Sequence, residues 1–572
     1  MDDVPAPGSL FVVFEGIDGS GQTALSERVA GRLRHIGLGV THVRENGAFA
    51  SPVTHAIREL GRDQRNLALT PCAELLLGIA RDMQLLEEVT LPALRTSEIV
   101  LADRFLYAAS VLAQHGRGMA GAEVATITRA VAHGVEPDLV VLVDVDPHLA
   151  RARRTVARQL AGDNRPSSRN GLAGVGMQHR LRAGYLELAE RDPDRWVVIN
   201  NTDAMLAEAE DVIVDGLAAA RLYGVGHGQA QIRARLAAVA SEPGHPGVAT
   251  AEEARALFLE WIDRRVATEP GVAAYLLGGL FGPGIDERRL QLARLAPAIV
   301  ASGLDGLDDA VSWWLRRELA GAAPGPVAGS LVRAAGAGAE ARALRRELAT
   351  RAPAAVAASL ALHDDKGSWE VREQLRKAAP LAVLSSLASL RSGRAWQWRE
   401  WLIADLGGAA ALDTYAVADA VCQSLTGLDE TRAWGLREAA YARAPVSAIH
   451  SLRGASSDRA NEWRRRHLER ASKAVMRSLC GMDDATAWSL REQAAMTCKE
   501  AVDSIVGLDQ PQAWRLRERC RDVWPSTVVR SLGAPLARTA RGAGLVGDLL
   551  GRHSGVALWR AVTGVAGAAD HP

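Results

Sequence analysis

Near the N-terminus an apolar, β-branched stretch, Leu10–Glu15, runs into Gly16-Ile17-Asp18-Gly19-Ser20-Gly21-Gln22-Thr23, and a helical pattern follows. Strand, glycine-rich turn and helix in that order make a phosphate-binding loop. The glycines let backbone N–H groups turn inward around phosphate oxygens, and the helix N-terminus adds a favourable dipole. Gly16, Gly19, Ser20, Gly21, Gln22 and Thr23 are therefore the candidate phosphate-holding residues. A bare glycine turn would say little, since many only reverse the chain; the flanking strand and helix carry the reading.

Such a loop needs a sheet to hold it. The first 222 residues alternate short apolar runs with longer helical patterns, the signature of βαβ units and a parallel sheet. Five strands are expected, at Leu10–Glu15, Val40–Arg44, Glu98–Asp103, Leu139–Asp144 and Trp196–Asn200. Helices should fill the intervals, most clearly at Ala24–Ile36, Ala73–Val89, Ala120–Ala132 and Gln178–Glu190. This predicts an α/β P-loop domain, a five-stranded parallel sheet with helices on both faces, over residues 1–222. Ligands of such sheets bind at the carboxyl ends of the strands.

Further along, several segments fall in an order similar to that of the thymidylate kinase family. Phe14-Glu15-Gly16-Ile17-Asp18-Gly19-Ser20-Gly21 resembles that family's start. Arg44-Glu45 ends the second strand, with Asn46 where the family usually has proline, and Asp103-Arg104-Phe105 ends the third. Gly116-Arg117-Gly118, Pro137-Asp138-Leu139, Asp144-Val145-Asp146-Pro147 and the helix Arg182–Ala189 follow in register. The resemblance implies a kinase that moves a phosphoryl group from ATP to dTMP. It implies that Gly16 to Thr23 hold donor phosphates, and that Thr23 and Asp103 attend a magnesium ion. Asp18, Asp103 and Arg104 would be the catalytic residues, Arg104 holding the acceptor phosphate, with Arg44, Arg81 and Gln84 completing the substrate site. Arg151, Arg154, Arg158, Arg165 and Arg169 would serve a lid and neutralise charge in transfer. A homodimer through this domain is expected on the same ground.

The chain departs from the family at two chemically telling places. Gln22 stands where the loop lysine belongs, and exchanging that cation for an amide removes several kcal/mol of transition-state stabilisation, roughly a thousandfold in rate. All but four of the 67 cationic side chains are arginine, and the lysines, Lys366, Lys377, Lys473 and Lys499, all lie beyond this domain. Only an arginine could take over. On the acceptor side, Arg81-Asp82-Met83-Gln84 shifts the base-contacting arginine by one position, about 100° around its helix, and Leu112 and Ala113 replace polar and aromatic residues. Two readings stay open: an arginine-assisted nucleotide kinase, and a catalytically inactive nucleotide-sensing scaffold.

Residues 223–250, rich in Gly, His and Pro around a short Ala-rich segment, read as a linker. Beyond it, over 251–572, a motif close to Trp-x-Leu-Arg-Glu recurs at Trp369, Trp434, Trp488 and Trp514, with weaker copies centred on Trp313, Trp396 and Trp463 and an unmatched one at Ala343–Glu347. The copies lie mostly 25 to 29 positions apart by subtraction. Two short helices per unit cannot bury their apolar faces alone, so an all-α repeat solenoid is expected, similar to HEAT-like repeats, with the tryptophans in its core and a protein partner on its surface.

Composition narrows the classes. Lys+Arg and Asp+Glu balance at 67 each, which argues against a global attraction to nucleic acid; Arg464-Arg465-Arg466 reads as a solvated face. Five scattered cysteines without a C-x-x-C pair suit a reducing cytoplasm. No stretch is apolar and long enough for a membrane span, and the chain opens on Asp2 and Asp3 without a leader-like pattern.

Overall fold

The computed structural model describes residues 9–44, 51–132, 134–162, 174–201, 206–239, 248, 250–282, 284–333 and 338–567. They divide into two compact units, residues 1–154 with 168–244, and 155–167 with 245–572.

The first unit is built on five parallel strands, β1 Leu10–Glu15, β2 Val40–Arg44, β3 Ile99–Asp103, β4 Leu139–Asp144 and β5 Trp196–Asn200, in the order β2-β3-β1-β4-β5. Every residue of β1 and β4 is buried, as near-continuous Val, Leu and Phe runs require in a sheet covered on both faces. Register brings Phe14, Asp103 and Arg44 level at the carboxyl edge: Phe14 pairs with Asp103, and Arg44 with Asp103. Chain reversals between parallel strands are made by helices, of which α1 Gln22–His35, α2 Pro52–Arg62, α3 Pro71–Leu85, α4 Leu91–Thr96, α5 Tyr107–Val111, α6 Gly121–Val131, α7 Pro147–Leu160 as far as Arg154, α8 Gly174–Arg191 and α9 Leu206–Tyr223 belong to this fold.

Two expectations change. The helix expected over Ala73–Val89 ends at Leu85, widens into a π-turn over Leu86–Thr90 and resumes as α4, in which Pro92 lacks the N–H that a regular α-turn needs. The stretch 223–250, expected to be a linker, contains α10 Val225–Val239. Its glycines serve close packing: a Cβ on Gly228 would collide with the backbone of Gly216 and with Ala220 on α9, and one on Gly216 with Ile232. Ile232 is fully buried in the sheet-and-helix core, and the Gln229 amide donates to the Asp138 carbonyl at 3.1 Å.

The second unit is all-helical among the described residues. In most pairs a longer helix is followed by a short one that opens on proline, as in Lys366–Leu375 with Pro380–Ser385 and Thr431–Tyr441 with Pro445–His450, whereas Ser472–Ser478 and Glu500–Asp503 open without one. Proline suits the first helical turn, where its missing N–H has no partner to lose. The short helices stack one on the next from Pro270–Leu277 to Pro525–Ala537. The last helix, Val556–Gly567, packs on both Pro525–Ala537 and the array's first helix, Ala251–Arg265. Arg560 ties this junction by donating to the carbonyls of Leu276 at 2.7 Å and Gly278 at 2.8 Å.

The repeating element at the core of each pair is an arginine. Arg437 is fully buried; its Nε donates to Ser451 Oγ at 2.8 Å, and its Nη2 to the carbonyls of Leu425 at 3.2 Å and Leu428 at 2.8 Å. Arg316, Arg372, Arg464, Arg491 and Arg517 repeat the serine bond and reach the same preceding turn. Each motif tryptophan stacks beneath its own arginine, 4.6 Å from Trp434 to Arg437, and many are covered from the other side by an arginine of the next repeat, such as Arg459 at 4.7 Å. The weak copy centred on Trp463 is out of register. Asn461 occupies the tryptophan position, bonded to Arg464 at 2.8 Å, while Trp463 packs edge-on against Trp434.

Candidate active site

The carboxyl edge of the sheet assembles the loop and its neighbours. Gly16, Gly19 and Gly21 have φ of 156°, 90° and 97°. At Gly19 and Gly21 the left-handed backbone favours glycine, and at Gly16 a Cβ would stand 2.5 Å from Ser20 Oγ. Ser20 and Gln22 are buried, and the Ser20 hydroxyl donates to the Gln22 carboxamide oxygen. Gln22 is thus folded back on the loop. Thr23 opens away from it, its hydroxyl donating to Asp103 Oδ2 at 2.7 Å.

Magnesium takes hard oxygen ligands and keeps several waters and phosphate oxygens in its shell. The Thr23 hydroxyl and Asp103 carboxylate are a donor set of that kind beside a phosphate loop, so the residues fit. Among the described residues no cluster of three or more His, Cys, Asp or Glu side chains could hold a metal alone.

Arg104 follows β3 in a left-handed conformation, φ 76°, with its N–H bonded to the Phe14 carbonyl at 3.0 Å. For a long side chain that conformation is strained and must be held by its surroundings. Asp18 Oδ1 accepts from Arg104 Nη2 at 2.9 Å, and Nη1 meets Tyr185 Oη at 3.4 Å. Behind them Glu15, fully buried, accepts the Phe105 N–H at 3.0 Å on one oxygen and the Tyr185 hydroxyl at 3.0 Å on the other. Burial pushes the Glu15 carboxyl up to about 7 against the pull of Arg104 and these two donors, with Asp82 adding to the rise. Burial alone would lower the Arg104 guanidinium, yet Tyr185, Asp18, Glu15 and Asp103 hold it above the usual arginine range.

Around Asp18 the potential is strongly positive. Burial would raise its carboxyl, but Arg104, Arg154, Arg62 and Arg58 together bring it below the ordinary value. Arg154 Nη1 lies 3.7 Å from Asp18 Oδ2. Arg58 and Arg62 on α2 were absent from the residues expected at the site. Their signal was weak, because arginines on a short helix after an irregular stretch read as solvated.

The structure brings Asp18, Thr23, Asp103, Arg104 and Arg154 together, and Arg151 adds its charge beside Arg154. Arg44 is described by its backbone only, level with Asp103. Arg81 is turned onto its neighbour Asp82, Nε to Oδ1 at 2.7 Å, and the Gln84 amide pairs with Glu88. Arg158 is exposed near the end of α7, and Arg165 and Arg169 lie outside the described residues, as do Glu45 and Asn46. Ala113 is buried among Leu75, Ile79 and Val124.

The family model for thymidylate kinase matches residues 14–213. A thymidylate kinase of Pelobacter propionicus is 34% identical over 219 residues, covering 38% of this chain and 97% of the relative. One of Trichlorobacter lovleyi is 36% identical over 214 residues, 36% of this chain and 99% of the relative. A crystal structure of thymidylate kinase from Ehrlichia chaffeensis is 28% identical with a TM-score of 0.27, covering 34% of this chain and 93% of that one. Nearly the full length of these curated relatives is thus contained in the N-terminal part, and through that part the chain belongs to the thymidylate kinase family.

Proposed function

We propose that the first unit transfers the γ-phosphoryl group of ATP to a nucleoside monophosphate of the thymidylate type, giving ADP and the nucleoside diphosphate. The single observation that carries this reading is the Asp18–Arg104 pair within the arginine cluster, one loop away from the Thr23–Asp103 oxygens. The loop Gly16 to Thr23 binds the donor phosphates through backbone N–H groups. Arg104 holds the acceptor phosphate in a fork, and Asp18 orients that fork. Glu15 and Tyr185 keep the strained Arg104 backbone in position. Magnesium, held at Thr23 and Asp103, supplies charge neutralisation at the phosphates when bound.

A coupled assay on the full chain with ATP, magnesium and a panel of nucleoside monophosphates tests this; turnover with dTMP supports it, and no turnover with any acceptor overturns it. The second reading, a nucleotide-sensing scaffold, is favoured by the internal Ser20–Gln22 bond, which leaves the loop without its cation. Under either reading the HEAT-like array is the protein-binding part, a proposal supported by Trp314 and Trp401, 49% and 40% exposed on its longer helices.

A further inference from the structure

Gln22 sits at the junction of loop and helix, and its carboxamide is occupied by Ser20. The loop itself therefore offers donor phosphates no side-chain cation. Arg154, two turns into α7, runs along the loop instead. Its Cγ lies 3.0 Å from the point where a Cβ on Gly19 would stand, so this glycine leaves room for the arginine stem. Its Nε is buried and has no hydrogen-bond partner among the described residues. Native proteins rarely leave such a donor unsatisfied. Burial disfavours its charge, as do Arg151, Arg62 and Arg104, and Asp18 is the compensating anion. A cation in that setting gains most from a polyanion arriving on the loop.

We propose that Arg154 supplies the cation for the β- and γ-phosphates of the donor nucleotide, in place of the lysine absent at Gln22. The proposal rests on the phosphate-loop reading given above and singles out one arginine among those of the helix. Arg104 is committed to Asp18 and Tyr185, and Arg158 is exposed near the end of α7. Among the described residues, Arg154 alone combines contact with the loop glycine and a buried donor without a hydrogen bond.

The test is calorimetric titration of the full-length chain with a non-hydrolysable ATP analogue and with ADP, alongside its kinase activity. Arg154→Gln is expected to weaken the analogue by about ten- to hundredfold, the loss of one or two charge-assisted hydrogen bonds, and ADP by less. Arg154→Lys, which keeps the charge and guards against a folding defect in the first variant, should retain most of the affinity. Gln22→Lys should restore binding in the Arg154→Gln background and add little to the native chain. Unchanged affinity in Arg154→Gln, or an equal gain from Gln22→Lys in both backgrounds, overturns the proposal while the loop reading stands. Absence of any binding to the native chain overturns both.

Discussion

Arg104 and Glu15 divide the work at the scale of single residues. Arg104 has a part-buried fork set by Asp18 and Tyr185 and a strained backbone, whereas Glu15 is wholly internal and keeps Phe105 and Tyr185 in place. Arg104→Ala should therefore weaken dTMP binding at least about tenfold, with ATP-analogue binding little changed; equal dTMP affinity by calorimetry would falsify its acceptor role. Glu15 should be visible in pH dependence. Its folded value, about 7, lies above the ordinary carboxyl value of about 4.5, so the folded chain binds this proton more tightly than the unfolded one. The resulting stabilisation is fully present below about pH 4.5 and is lost as pH rises through 7, on the order of 3 kcal/mol at most. In Glu15→Gln the thermal midpoint of the first unit should lose this decline between pH 5 and 8. A native midpoint that is flat over that range argues against a raised carboxyl.

In the helical array the element is the helix pair, and its arginine is more constraining than its tryptophan. Truncating Trp488 leaves a cavity between repeats and should cost about 3–5 kcal/mol. Arg437→Met keeps much of the volume but strips the carbonyls of Leu425 and Leu428 and the Ser451 hydroxyl of a buried donor, so about 3–5 kcal/mol is expected there too. Lysine cannot substitute, because a single ammonium lacks the planar fork that spans two turns. Denaturant midpoints of Arg437→Met and Arg437→Lys measure this, and near-native values for both would show that the arginine is a passenger. The turn before several of the longer helices is left-handed, with Gly427 at φ 78°; Leu362 and Ser389 adopt that conformation at φ 73° and 63° in their own repeats. Leu362→Gly and Ser389→Gly should therefore be neutral or slightly stabilising.

For the whole molecule, each unit has its own core, so deletion of residues 1–222 should leave the array's helicity in circular dichroism intact. The junction of the last helix with the first adds a constraint that an open array lacks. Removing residues 553–572 strips Arg560 and the apolar face of Val556–Gly567 from Ala251–Arg265, and the thermal midpoint of the array should fall. An unchanged midpoint would mean that the junction contributes nothing to stability.

The strands were legible because each is a short β-branched run closed by a turn, and four of the five have the expected bounds. The loop was legible for the same local reason, as were the motif tryptophans. What the sequence hid was whatever depends on a partner far along the chain. An arginine in mid-helix reads as solvated until the preceding turn and the following serine are seen closing over it, and Asn461 replaces a tryptophan only in three-dimensional register. The glycines of α10 read as linker until Ile232 is found buried against α9. Asp18, the Arg58 and Arg62 pair, Arg104 and Arg154 come from four separate stretches of sequence, and only the parallel sheet, which brings the segments after its strands to one edge, makes them a single electrostatic site. Sequence by itself therefore determined the elements and the loop, since these follow from local spacing. The tertiary structure alone decided which charges meet, since burial and long-range contact set their energies.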